Sequence, residues 1–193
     1  MPAAKRISKE AIIDAAAAVL RIGGFEAINA RSVAEALGCS TQPIYLSFRN
    51  MEELKSALTQ RAIEQHTQRV RESLRAHEGC DSRYSSYGMG FVQFAAQEKQ
   101  LFRWLYLEDN QPGRHQEDVL EPEIIRTVMD EFGYDEVTAR AFHRDMTYYS
   151  YGLAILANTG HLALTETELR EAFRREFRAL AAYYGPPKKL PEF

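Results

Sequence analysis

The 193-residue chain contains two cysteines, one tryptophan and no long apolar run. Each scarcity excludes something. Cys39 and Cys80 lie in separate regions without metal spacing, so a reduced, cytoplasmic protein is expected rather than a disulfide-stapled secreted one. No segment approaches the roughly 20 apolar residues of a membrane span, and no membrane partner is expected. The first apolar stretch, Ala11 to Ile22, contains Asp14 and Arg21 and lacks a small-residue cleavage pattern, so it does not read as a signal peptide. Basic excess is missing as well. The formal net charge is −3, and residues 1–60 hold seven Lys/Arg against six Asp/Glu, a net of +1 that leaves −4 for the remainder. The strongly basic footprint of many nucleic-acid binders is therefore absent, and any such reading must rest on a motif.

Catalytic patterns are equally sparse. The five histidines, at positions 66, 77, 115, 143 and 161, lack metal-ligand spacing on a common helix face. There is no nucleophile elbow and no glycine-rich phosphate loop. His143-Arg144-Asp145 has the letters of a kinase catalytic loop, but Ser150 stands where that loop needs asparagine. The expectation is a protein that is not an enzyme and carries no cofactor and no metal.

What is present is helical periodicity, with no run of strict alternation, and the expected fold class is all-α. Ser8 can cap a first helix with Ile12, Ala16, Val19 and Leu20 on one face, ending at Gly23-Gly24. Asn29 can cap a second helix containing Val33, Ala34 and Leu37, closed by Gly38. Ser40 is then the expected cap of a third, carrying Ile44, Tyr45 and Phe48. A long helix follows from about Glu52 to Glu78, and Gly79 to Ser82 marks the next boundary. Further helices are expected near 83–97, 99–109, 118–132, 136–159 and 166–184, with Pro112 and Gly113 interrupting one gap. Thr165 and Glu168 fit a capping box. The expected domains are residues 1–55, 56–185 and a flexible tail, 186–193.

The segment from Val33 to Tyr45 meets the demands of two short helices crossing steeply through a tight turn. Ala34 is small where the second helix must pack. Gly38 tolerates the positive φ of the turn, Cys39 can plug the corner, and Ile44 supplies an inward aliphatic anchor. These offsets are those of a helix-turn-helix.

Gly24-Phe25, Val33-Ala34, Gly38-Cys39-Ser40, Ile44-Tyr45, Phe48 and Leu54 together resemble the N-terminal domain of the tetracycline-repressor (TetR) family, over about residues 8–58. The resemblance implies a three-helix DNA-binding domain followed by a helical-bundle sensor and dimerisation domain. It implies a homodimeric transcriptional regulator, a repressor that binds a palindromic double-stranded operator and is released by a small-molecule effector. A helical ligand-binding protein with weak or lost DNA binding is the alternative. The third helix would enter the major groove, where Thr41, Gln42 and Pro43 can reach base edges and Gln42 can pair with adenine. Tyr45 matches a phosphate-binding tyrosine of the family, and Arg31 a position that reaches a base or the backbone. Ser40 is a further candidate phosphate contact, and Lys5, Arg6 and Lys9 a basic arm. Two positions depart from the pattern. Ser47 replaces a frequent histidine, and Met51 replaces a phosphate-binding lysine for which Arg49 or Lys55 can substitute.

Residues 84–160 are rich in aromatic and thioether side chains, and the expected effector contacts are Phe91, Phe94, Trp104, Met129, Phe142, Met146, Tyr148 and Tyr149. His143 and Asn158 can add polarity. On the last helix Leu169, Phe173, Phe177, Leu180 and Tyr184 form a stripe. With Gly152 and Leu156 of the preceding helix, Leu169, Phe173, Phe177 and Leu180 are the expected dimer interface, as a four-helix bundle between protomers.

Overall fold

A computed structural model describes residues 7–76, 82–108 and 112–187. Lys5, Arg6, Cys80, the expected end of the long helix at Glu78 and the tail from Lys188 onward lie outside the described residues. All regular structure among the described residues is helical. By its contacts the chain divides into two units, Met1–Gln65 with Gln100–Gly113, and His66–Lys99 with Arg114–Phe193.

In the first unit, α1 (Lys9–Gly23) opens where the Ala11 amide donates to Ser8 Oγ at 3.1 Å. It buries Ile12, Ala16 and Leu20 at helical spacing. A 3-10 turn at Phe25–Ala27 leads to α2 (Ala30–Leu37), whose first turn is closed by a reciprocal Asn29–Ser32 capping box. Gly38 follows in the left-handed region (φ 64°, ψ 36°). Its amide donates to the Glu35 carbonyl and the Cys39 amide to the Ala34 carbonyl, both at 3.0 Å, which is a Schellman closure. The third helix, α3, spans only Gln42–Ser47.

Three details differ from the expectation there. Thr41, not Ser40, precedes the helix and makes no side-chain cap, while Pro43 in the first turn needs no amide partner. Phe48 leaves the helix in extended conformation and turns its ring into the core. Cys39 is only half-buried at the corner.

Asn50 then caps α4 (Met51–Ala76) by accepting from the Glu53 amide at 2.9 Å, while Glu53 accepts from the Arg49 amide at 2.9 Å. Leu54, Leu58 and Ala62 of α4 close the core of this unit. The unit also takes in most of α6 (Lys99–Phe102) and the π-helical turn Arg103–Leu107 that continues it.

The second unit contains α5 (Arg83–Gln97), α7 (Pro112–Phe132), α8 (Glu136–Thr159), α9 (Glu166–Tyr184) and the last part of α4. Three of these match the periodicity residue for residue. Helix α7 instead begins at Pro112, because proline at the first helical position forfeits no hydrogen bond, so the expected interruption is a start. Helix α5 packs on α8 and α9. Phe132, Phe142, Tyr84 and Phe177 form an aromatic core, with Phe142 5.8 Å from Phe132 and 5.5 Å from Phe177 between ring centroids.

Glu131 holds the start of α5 in place. Its carboxylate accepts from Ser82 Oγ (2.7 Å), the Arg83 amide (2.9 Å), Arg83 Nε (3.0 Å) and the Tyr84 amide (3.3 Å). A negative charge at a helix N-terminus is favourable, and here it also ties α5 to the end of α7.

Candidate functional site

Two sites result, one in each unit. In the first, the corner at Gly38 presents α3 with one face in and one face out. Ile44 and Phe48 are buried, as are Val33, Ala34 and Leu54 of the same unit. On the other face Gln42 is exposed, Tyr45 is 55% exposed and Leu46 80% exposed. An apolar side chain so fully in water has no role in the fold of this unit, and Leu46 was not among the residues picked from sequence. Arg31, in the first turn of α2, and Ser40 are also exposed, whereas Thr41, Pro43 and Ser47 are half-buried.

The cations of this unit are partly committed. Lys9 pairs with Glu53 at 3.7 Å and lies 4.6 Å above the Phe48 ring, so it braces α1 against the α3–α4 corner rather than extending a basic arm. Lys55 sits 4.5 Å above the Phe25 ring. Arg49, its side chain 92% exposed and 4.0 Å from Glu53, is left to supply charge beside Met51. The Arg49 amide, with the nearby Lys9 ammonium, holds the Glu53 carboxyl below its ordinary range, so this corner keeps its acid ionised.

In the second unit a narrow cavity of about 30 Å³ lies among α5, α8 and α9. From α5 come Tyr84, Ser85, Tyr87, Gly88 and Phe91; from α8, His143, Met146, Thr147, Ser150 and Tyr151. Phe173 and Phe177 of α9, Phe132 and Ser82 complete the lining. Tyr84 Oη lies 2.8 Å from His143 Nδ1. Burial pushes the His143 imidazole down to about 4 and the Tyr84 phenol well up, so both are neutral near pH 7.

Of the eight side chains expected to bind effector, Phe91 and Met146 line this cavity. The other six do not, for separate reasons. Trp104 belongs to the first unit and stacks on Phe25 with ring centroids 5.0 Å apart. Phe94 packs on the His66 ring at 4.5 Å. Met129 is half-buried elsewhere on α7, and Phe142 lies behind the wall in the aromatic core. Tyr148 is 68% exposed, and Tyr149 packs its ring edge-on to Phe173 at 6.0 Å. Asn158 is spent on the fold, donating to the Ala95 and Lys99 carbonyls.

The signal that would have found the cavity is a stripe, not a composition. Tyr84, Tyr87, Gly88 and Phe91 fall at i, i+3, i+4, i+7, and His143, Met146, Thr147, Ser150 and Tyr151 follow the same spacing. Hydroxyls and glycine interleave with the rings along both.

The expected dimer stripe also divides. Leu169, Phe173 and Phe177 are buried inside the protomer, because α9 turns that face onto α5 and α8. Leu180 is half-buried. Gly152 and Leu156 are exposed, in company with Tyr148 and Ile155 of α8 and Tyr183 of α9.

The buried His143 has a consequence for stability. Its pKa lies near 4 when folded and near 6.5 in an unfolded chain, so the unfolded state binds more protons between those values. Stability is therefore fully present above about pH 6.5 and falls by about 2–3 kcal/mol as the pH drops to 4. The Tyr84 and Tyr87 rings pack on the imidazole at 5.7 and 6.3 Å between centroids. Urea unfolding at pH 7.5 and 4.5 measures the loss, and His143→Phe is expected to shrink it by that amount. An unchanged pH dependence in that variant would contradict the assignment.

Among the described residues no cluster of His, Cys, Asp or Glu has the geometry to hold a metal ion, and no helix is long and apolar enough to cross a membrane. No curated protein matches the sequence. Residues 12–58 match the profile of the family described as bacterial regulatory proteins, tetR family. Among solved structures, the chain is similar to a protein described as a TetR-family transcriptional regulator from Mesorhizobium loti MAFF303099. The TM-score is 0.63 at 14% identity, covering 91% of this chain and 95% of that one. It is similar to the fatty acid degradation regulator FadR from Bacillus halodurans (TM-score 0.57, 17% identity, 89% and 93% covered). It is also similar to SmeT, the repressor of the Stenotrophomonas maltophilia multidrug efflux pump SmeDEF (TM-score 0.55, 16% identity, 96% of each chain). At such identities these likenesses concern the fold. Residues 12–58 thus form a domain of the family described as bacterial regulatory proteins, tetR family, and the whole chain shares the all-helical fold of solved structures so described.

Proposed function

We propose that this protein is a cytoplasmic, homodimeric transcriptional repressor that binds a palindromic operator and is released when a small molecule fills the cavity of its second unit. The observation that carries the reading is the two-faced α3. Ile44 and Phe48 lock it down while Gln42, Tyr45 and Leu46 stand in solvent. Such a helix presents donors, acceptors and an apolar side chain of the kind that read base edges and thymine methyls in a major groove. Gln42 and Thr41 contact bases, with Pro43 and Leu46 against thymine methyls. Tyr45, Ser40, Ser47, Arg31 and Arg49 position the helix on phosphates.

Dimerisation brings two copies of α3 to half-sites about 34–36 Å apart or somewhat more. The exposed apolar residues Tyr148, Ile155, Leu156 and Tyr183, with Gly152 allowing close approach, are the surface assigned to the α8–α9 contact between protomers. Release follows if the effector prefers an arrangement of protomers with the wrong helix separation, by its differential affinity for the two states. Helix α4, whose residues are shared between the two units, is the connection through which that preference acts. No catalytic step is assigned.

Titration of the purified protein into fluorescent duplexes of its own upstream DNA at several salt concentrations tests the reading. Sequence-selective binding that weakens steeply with salt is expected. Arg49→Ala should weaken it for all sequences and reduce the log–log salt slope by about one per half-site. Indifference of the protein to DNA sequence at every salt concentration would remove the regulator reading.

A further inference from the structure

We propose that the effector is an uncharged aromatic molecule bearing one hydroxyl or carbonyl group, whose oxygen meets the Tyr84–His143 pair. This rests on the sensor role assigned above and specifies its chemistry.

The first argument is charge. None of the side chains lining the cavity is an Asp, Glu, Lys or Arg. The nearby carboxylate of Glu131 is already saturated by four donors, Arg83 Nε among them. An anion would be desolvated with no partner, and a cation would meet ring faces but no counter-charge. His143 does not rescue an anion, because the same burial opposes its protonation.

The second argument is which polar groups can adapt, among lining hydroxyls that also include Ser85, Tyr87 and Tyr151. Ser82 Oγ donates to Glu131 at 2.7 Å, Thr147 Oγ1 to the His143 carbonyl at 2.8 Å and Ser150 Oγ to the Met146 carbonyl at 2.8 Å. These hydroxyls have no proton left to give. The Tyr84–His143 pair differs, since its proton can sit either way. With Tyr84 donating to Nδ1, Nε2–H is a donor toward a carbonyl. With Nδ1–H donating to Tyr84, Nε2 accepts from a hydroxyl. One neutral couple thus serves either oxygen type.

The third argument is shape. The walls are aromatic faces and edges, Phe91 and Tyr151 packing on each other at 51° and 5.0 Å, and such surfaces favour contact with another ring. The slot is thin. A Cβ on Gly88 would lie 2.9 Å from the Phe173 ring, so α5 approaches α9 as closely as a residue without a side chain permits.

Calorimetric titration of the full-length protein with four probes of one skeleton tests the proposal: 4-ethylphenol, 4-ethyltoluene, 4-ethylbenzoate and 4-ethylphenyltrimethylammonium. The phenol should bind about 10-fold more tightly than the toluene, which lacks the oxygen. It should bind at least about 100-fold more tightly than either ion. In His143→Phe the advantage of phenol over toluene should vanish while toluene still binds, which also reports that the variant is folded. Tyr84→Phe provides the same comparison if that variant does not fold. Failure of all four probes to bind, equal binding of phenol and toluene, or a preference for either ion overturns the proposal. Operator binding separates it from the wider reading. Phenol that binds without releasing DNA supports the ligand chemistry and sinks the regulatory mechanism. Release by the benzoate or the ammonium does the reverse.

Discussion

Ile44→Ala is expected to abolish operator binding while leaving the second unit folded. Helix α3 has six residues and no side-chain cap, too little to persist by its own hydrogen bonds. It is held by what it buries, and Ile44, 1% exposed, is the aliphatic side chain it drives into the core beside Phe48. Removing three methyl or methylene groups from such a site costs about 2–5 kcal/mol, against a total stability of about 5–15 for a domain. The loss falls on the element that carries Gln42 and Tyr45, so DNA affinity drops more than global stability. Trp104, the single tryptophan, stacks on Phe25 within the same unit and reports its unfolding by fluorescence. Calorimetric binding of a cavity ligand reports the other unit. If Ile44→Ala binds operator with unchanged affinity, the packing described for α3 is wrong.

Phe142→Ala is expected to destabilise the second unit by about 3–5 kcal/mol, the cost of an aromatic deletion in a closed core. Its ring is fully buried and meets Phe132, Phe177, Tyr84, Tyr134 and Tyr184 at centroid distances between 5.5 and 6.2 Å. None of those contacts collapses easily onto the space left behind. Phe91→Ala makes the informative comparison, because Phe91 lines the cavity. Phe91→Ala should alter ligand affinity more than the urea midpoint, and Phe142→Ala the midpoint more than affinity. A Phe142→Ala protein with native stability and lost ligand binding would return this residue to the effector site, where its size and aromaticity had placed it.

The DNA-binding half was legible because its signals are local. The Asn29 cap, the left-handed Gly38 and the single inward Ile44 lie within sixteen residues, and each acts on its immediate neighbours. Even so, the cap assigned to Ser40 moved to Thr41, since proline in the first turn lets α3 start without a side-chain acceptor. The helices Arg83–Gln97, Glu136–Thr159 and Glu166–Tyr184 were readable from period and caps alone. Their partners were not. Leu169, Phe173 and Phe177 form an apolar stripe that suits a dimer seam and a protomer core equally, and periodicity cannot say which helix covers it.

The chain order of small, capping and apolar residues therefore determined, unaided, that this protein is helical and that a corner at Gly38 thrusts a short helix outward. Those features depend on backbone conformations and hydrogen bonds that reach only a few residues. Which rings enclose a cavity, why Trp104 joins the first unit, and that His143 stays neutral beside Tyr84 were decided only by tertiary packing. Residues 59 positions apart are brought to 2.8 Å there, and burial, which no local pattern encodes, sets their chemistry.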